Sequence, residues 1–329
     1  MKSATTLTAR WVSFAVVSVL IGWPLVFPGT AAAQGTQGQN GVFNPSNGIV
    51  GSNAFIDASM FAGNAQNRNL CSVLNYVLAN IDQPPTYPNG AVIDARGIPG
   101  VTPPVSMTCT ISPWGSGSGY LNVPSTILLP ATTAAAPIVI STPWVLPSYT
   151  HLIGQGDAIT SVSPLGTTIQ VSGTFSGSSS MIQFGSSSGC CTAISVENLT
   201  LDGKAKTGVS GIVNQYAGDL SYVDHVGLYR ILGTGLSVSG SANKSGPYSN
   251  ITFDLGGNSG TNSTTCASIN GLTGTRGIHG LTCISENNVP PAAVLLDSSN
   301  NSIEDLCFPT NRITLDLYAQ AGMPNKRLA

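Results

Sequence analysis

Two aspartates, Asp202 and Asp254, stand at the ends of two short apolar runs, and His225, Tyr229 and Arg230 lie on the run between them. Paired carboxylates suit general acid–base chemistry, one protonating a leaving group while the other activates water. Imidazole, phenol and guanidinium groups between them offer hydrogen bonds and charge to a sugar or an acid group. If the runs stack as neighbouring strands, about 4.8 Å apart, the two Asp backbones fall roughly 10 Å from one another. A Ca2+ ion holds its oxygens at about 2.3 to 2.6 Å, so acids so far apart do not share one, and Tyr229 is a poor ligand between them. Inverting glycoside hydrolysis places its carboxyls about 6.5 to 9.5 Å apart, which side-chain lean can satisfy. Asp202 and Asp254 are therefore candidate catalytic residues, with His225, Tyr229 and Arg230 as candidate substrate-binding residues, and no metal or other cofactor is expected. Both aspartates also sit in turn contexts, Asp202-Gly203 and Asp254-Leu255-Gly256, where an Asx turn needs no further purpose.

The elements that must position these residues are five recurring runs between Val196 and Phe308. Their reference residues, Leu199, Val226, Ile251, Leu281 and Leu306, follow one another at 25 to 30 residues. Each run alternates apolar with small or polar residues, the period of a strand with one buried face. Gly, Ser and Asn clusters separate the runs. A strand recurring at this interval without a helical pattern is the signature of a β-solenoid. In register, Leu199, Val226, Ile251, Leu281 and Leu306 form one inward column, and Leu201, Leu228, Phe253, Cys283 and Phe308 form a second. Outward columns hold Asn198, His225, Asn250, Gly280 and Asp305, and then Asp202, Tyr229, Asp254, Ile284 and Pro309.

Composition supports the same architecture. Only 8% of the 329 residues are charged, against about 25% in an average soluble protein, and Gly numbers 38. A formal charge of -2 provides no electrostatic footprint for nucleic acid. Lys2 and Arg10, the uncharged run from Trp11 to Phe27 and the Ala31-Ala32-Ala33 site predict a signal peptide over residues 1–33. Residues 34–53, rich in Gly, Gln and Asn, read as a flexible leader. Export follows, to a secreted, periplasmic or cell-surface location, with no membrane segment after cleavage. In such a compartment the seven cysteines are disulfide candidates, and their odd number leaves at least one outside any intrachain bridge.

One helical stretch precedes the strands. Leu70, Val73, Leu74, Val77, Leu78 and Ile81 recur at helical spacing, Asn69 can cap the start, and Pro84-Pro85 ends the pattern. This amphipathic helix, over about 69–82, is expected to cover the open end of the first coil. Cys71 and Cys109, both in this cap region, form one expected bridge. Cys266 and Cys283 form another, across the longest excursion between strands. At the far end, the run from Ile313 is followed by no amphipathic element before Ala329, so the last coil edge reads as open and available for self-association.

The order Phe55-Ile56-Asp57-Ala58, helix, Val92-Ile93-Asp94-Ala95, Ile127-Leu128-Leu129-Pro130 and Leu152-Ile153-Gly154-Gln155-Gly156 resembles the opening of the pectate-lyase-superfamily right-handed parallel β-helices. The resemblance covers residues 54–160 at motif level, the remainder matching as generic coils. It implies a single-stranded right-handed parallel β-helix with an N-terminal cap helix, spanning residues 54–329. It also implies a polysaccharide partner, pectin-like or another acidic glycan, cleaved by a lyase or a glycoside hydrolase. Polygalacturonase motifs are not met. Gly277-Ile278-His279-Gly280 is one residue longer than Gly-His-Gly, Arg312-Ile313-Thr314 lacks the final Lys, and no Asp-Asp pair occurs. A non-catalytic surface or matrix protein, using the same fold as a rigid rod, is the alternative.

Overall fold

Short runs whose every second side chain is apolar have no way to bury that face except against another layer, and here they do so by stacking in parallel. The computed structural model describes residues 55–63, 67–82, 90–157, 166–187, 191–240, 243–254, 265–270, 272, 277–284, 294–297, 303–304 and 315–317. The expected signal peptide and leader, Asp305, Leu306, Phe308 and Pro309, and the C-terminal edge lie outside the described residues. All strand pairings between named strands are parallel, in a 12-stranded and a 7-stranded sheet.

The larger sheet is two ladders joined at a corner. The first ladder starts with Phe55–Asp57, Ala91–Asp94, Ser125–Leu128 and Thr150–Ile153. It continues through residues 195–197, 222–224, 248–249 and 278–279 to Ile303–Glu304. The second ladder runs from Thr108–Cys109 through Ile138–Ile140 and Thr168–Val171 to residues 200–202. Residues 226–229, 251–254 and 281–284 extend it. The smaller sheet is the third ladder: Trp144–Leu146, Ser180–Phe184, Ser210–Asn214, Leu236–Val238, Ala267–Asn270, Val294–Asp297 and Leu315–Leu317. From Ser125 to Asp297 the chain visits first, second and third ladder in rotation. Mostly β-strand and parallel in its strand pairings, the arrangement is consistent with the all-β solenoid that the 25- to 30-residue rhythm predicts.

Both predicted inward columns are present as far as Cys283. Leu199, Val226, Ile251 and Leu281 pair in register, as do Leu201, Leu228, Phe253 and Cys283, and none is more than 4% exposed. A third inward column, Ile93, Ile127, Leu152, Val196, Val223, Tyr248 and Ile278, lines the first ladder and is fully buried. Tyr248 brings a hydroxyl into this apolar stack. Asn214 Nδ2 donates to it at 2.8 Å and Ser245 Oγ lies 2.6 Å away, so the buried polar atom is satisfied.

One expected outward column is something else. Asn198, His225, Asn250 and Gly280 have φ of 53°, 51°, 54° and 60°. They are left-handed corner residues at which the chain turns from the first ladder onto the second, not extended outward positions. Asn is among the few residue types that take this conformation readily, and Gly takes it without cost. Because a single residue makes the corner, apolar alternation passes through it and two strands look like one in the sequence.

The predicted cap helix is present as Leu70–Asn80. Asn69 Oδ1 accepts from Ser72 N at 2.9 Å, and Ser72 Oγ accepts from Asn69 N at 3.1 Å, a reciprocal cap. Leu70, Val73, Leu74, Val77 and Leu78 are buried. Both expected disulfides are formed: Cys71–Cys109 ties the helix to the first strand of the second ladder, and Cys266–Cys283 ties the residue preceding the third-ladder strand Ala267–Asn270 to the second ladder. Among the described residues no helix is long and apolar enough to cross a membrane.

Candidate polar ladder on the first sheet face

The five residues singled out in the sequence divide between two places. Asp202, Tyr229 and Asp254 form one outward column of the second ladder in consecutive coils, as the register predicts. Asp202 is 3% exposed and its oxygens are fully engaged. Arg230 donates from Nε to Oδ1 at 2.9 Å and from Nη2 to Oδ2. Gln170 Nε2 donates to Oδ2 at 2.7 Å, and the Lys204 amide to Oδ1 at 2.8 Å. The guanidinium also lies 4.7 Å from the centre of the Tyr229 ring, a cation–π contact. The carboxylate beside it raises the Arg230 pKa still further. Arg230 thus binds Asp202 here, and a carboxylate so enclosed presents no oxygen to a polymer at the surface.

His225 is not part of that group. It occupies the corner column, where its Nδ1 lies 2.8 Å from Asp224 Oδ2, and it faces the first ladder. Two outward columns there carry reactive groups, among them Glu197 and Asp224, whose positions just before their strands suggested in the sequence no more than backbone bonding at coil corners. His151, Ser195 and Tyr222 are register partners in three consecutive coils, and Ile153, Glu197, Asp224, Ser249 and His279 follow one another in the next column. Strand pairing brings Glu197 and Asp224 into adjacent coils, with backbones about 4.8 Å apart.

Hydrogen bonds connect these columns. Ser195 Oγ donates to Glu197 Oε1 at 2.6 Å, Tyr222 OH donates to the same oxygen at 2.8 Å, and His151 Nδ1 lies 2.8 Å from Ser195 Oγ. Asp224 Oδ1 accepts from Ser249 Oγ at 2.6 Å and from Asn250 Nδ2 at 2.9 Å. Burial alone would raise the Asp224 pKa, but the bonds from Ser249, Asn250 and His225 outweigh it and hold the carboxyl below the usual range. Burial lowers the pKa of His151, offset in part by the charge of Glu197. Burial, then the bond to Glu197, raises that of Tyr222.

Asp157 reaches the same region from the turn after Thr150–Ile153. Gly154 N donates to Glu197 O at 2.8 Å, Gly156 N donates to Asn198 O at 2.8 Å, and Thr167 N donates to Gly156 O at 3.0 Å. A Cβ on Gly154 would lie 2.2 Å from Asn198 O, so only glycine permits this approach. Asp157 is exposed as a residue, yet partial burial of its carboxyl raises its pKa, with the charge of Asp224 adding and that of His225 opposing. Two carboxyls, Asp157 and Asp224, are therefore pushed in opposite directions within one cluster, a separation typical of acid–base sites. Among the described residues, no group of three or more His, Cys, Asp or Glu is placed to hold a metal ion.

Glu197 and Asp224 were within reach of the sequence, since each lies two residues before an inward reference residue, Leu199 or Val226. The corner at Asn198 and His225 concealed them, because strict alternation treats it as one more outward position. Compared with known proteins, the chain matches no family model, no curated protein and no solved structure.

Proposed function

We propose that this protein is an exported, single-stranded right-handed parallel β-helix that binds an extracellular polysaccharide along the first ladder and cleaves its glycosidic bonds. Rotation of the chain through three parallel ladders supports the β-helix, and parallel strands joined within one sheet cross over right-handed in nearly all proteins. Two disulfides fit an oxidising compartment. The observation that carries the activity is the registered pair Glu197 and Asp224, two carboxylates in adjacent coils held by neighbouring hydroxyl, amide and imidazole groups.

Ser195 and Tyr222 both donate to Glu197 Oε1, bonds that favour its ionised form. Glu197 therefore serves as the acid once a proton has been delivered to it, and then protonates the leaving glycosidic oxygen. Asp224, kept ionised by its donors, attacks the anomeric carbon, and water then releases the sugar while Glu197 takes the proton from it. One strand spacing is closer to the 5 to 5.5 Å of retaining glycosidases than to the wider inverting separation. Stacked carboxylates repel a polyuronate, so a neutral glycan suits this face better than the acidic glycan implied by the sequence resemblance.

The test is incubation of the protein with neutral and acidic polysaccharides, with and without calcium, followed by assay of binding and new reducing ends. Cleavage with retained anomeric configuration, read by NMR on the first product, is expected. Binding without cleavage by any substrate leaves the rigid-rod reading, and neither binding nor cleavage removes the glycan altogether.

A further inference from the structure

Ser195 is fully buried, yet it sits between two titratable groups. Its Oγ donates to Glu197 Oε1 at 2.6 Å and lies 2.8 Å from His151 Nδ1. A hydroxyl has one proton to give. With that proton on Glu197, Ser195 can only accept from His151, so the imidazole carries a proton on Nδ1. The three groups form a directed chain, imidazole to hydroxyl to carboxylate, assembled from two coils by the pairing of His151 with Ser195.

We propose that His151 is a positioning residue that acts through Ser195 as the proton store of Glu197. The proposal rests on Glu197 being the acid of the glycosidase described above. The exchange balances without another reactant. An imidazolium passes its Nδ1 proton to Oγ as Oγ passes its own proton to Oε1, leaving a neutral imidazole protonated on Nε2 and an uncharged Glu197. When Glu197 later takes a proton from the attacking water, the same path in reverse restores the imidazolium.

The surroundings suit this role. Burial disfavours the imidazolium, and the Glu197 charge opposes this only in part. Few other charged groups compete. The strand before His151 presents Thr126 as its register partner, and the strand after presents Ser195. Beyond these, Tyr222 bonds Glu197, and Asp224 is its register partner. Ser195 also meets the Tyr222 hydroxyl, but it is His151 on one side and Glu197 on the other that make it a conduit.

The chain has three histidines, so ring signals of the full-length protein can be assigned by His225→Gln and His279→Gln and followed by NMR against pH. At high pH, with Glu197 ionised, neutral His151 is expected to show the Nδ1–H tautomer in its 15N shifts; an Nε2–H tautomer there overturns the direction of the chain. Glu197→Gln is expected to lower the His151 midpoint by about one unit. In a Ser195→Ala background the same substitution is expected to move it less than half as far, a double-mutant coupling. Equal shifts in both backgrounds mean contact through space alone and overturn the relay. If Ser195→Ala does not fold, the tautomer and the Glu197→Gln shift still decide, and an unmoved midpoint overturns the proposal. On a cleaved glycan, Ser195→Ala should lower kcat with KM unchanged and displace the pH profile. Absence of cleavage by the unaltered protein overturns the glycosidase reading, whereas an intact activity with uncoupled titrations overturns the relay alone.

Discussion

Arg230 reaches across one coil spacing to bond both oxygens of Asp202, with the Tyr229 ring against its guanidinium. The pair joins neighbouring coils at the edge of the second ladder. Arg230→Met leaves Asp202 buried with only Gln170 and the Lys204 amide as donors. It should destabilise the protein by about 3 kcal/mol, the low end for breaking a buried pair. Asp202→Asn with Arg230→Met should cost less than the sum of the single changes. Urea unfolding of the three variants measures this, and glycan cleavage by the folded fraction should persist.

Glu197→Gln should reduce cleavage by about 10²- to 10⁴-fold, the range of a lost acid or base, and Asp224→Asn, which removes the nucleophile, by at least as much, both with little change in the unfolding midpoint. Asp254→Asn should leave the rate within a few-fold. A panel in which Asp254→Asn abolishes cleavage and Glu197→Gln does not would move the active site to the second ladder.

The two disulfides act on different parts of the array. Cys71–Cys109 closes a separation of 38 residues and Cys266–Cys283 one of 17. On loop-closure entropy, the paired Cys→Ser changes should cost about 4 and about 3 kcal/mol respectively. Hydrogen exchange should show the first pair loosening the cap helix and the second loosening the strands around Ala267–Asn270, so the two losses occur in different segments.

Asp82, just past the cap helix, is fully buried, and among the described residues neither oxygen has a hydrogen-bond partner within normal geometry. Burial raises its pKa to about 6, opposed in part by the nearby Ala91 amide. A carboxyl that holds its proton more tightly when folded leaves stability intact below about pH 4, and stability is lost as pH rises through about 6. The loss is at most about 3 kcal/mol. Asp82→Asn should remove this slope and raise the thermal midpoint at pH 7 but not at pH 4.

The inward columns were legible because they depend on local alternation alone. Leu201, Leu228 and Phe253 each follow an inward residue by two positions, and burial of every second apolar side chain is the same demand in any stack. The cap helix was legible for a similar reason, with its apolar stripe and Asn69 lying within one stretch. The third ladder was not. Ser210-Gly211-Ile212-Val213-Asn214 and Leu236-Ser237-Val238 are short and rich in small residues. Gly211 in particular is required by a neighbour, since its Cβ would lie 2.4 Å from Gly235 O, and that neighbour is 24 residues away.

By itself, the sequence determined that strands recur, which side chains they bury, where the helix begins and which cysteines can meet, since periodicity, capping and chain position decide these. Only the tertiary structure decided that Asp202 belongs to Arg230 and that Glu197 meets Asp224, Ser195 and Tyr222 beside His151. The reason is the corner at Asn198 and His225. A single left-handed residue rotates everything before it onto another face, so residues two apart in the chain part company while residues 27 or 44 apart become neighbours.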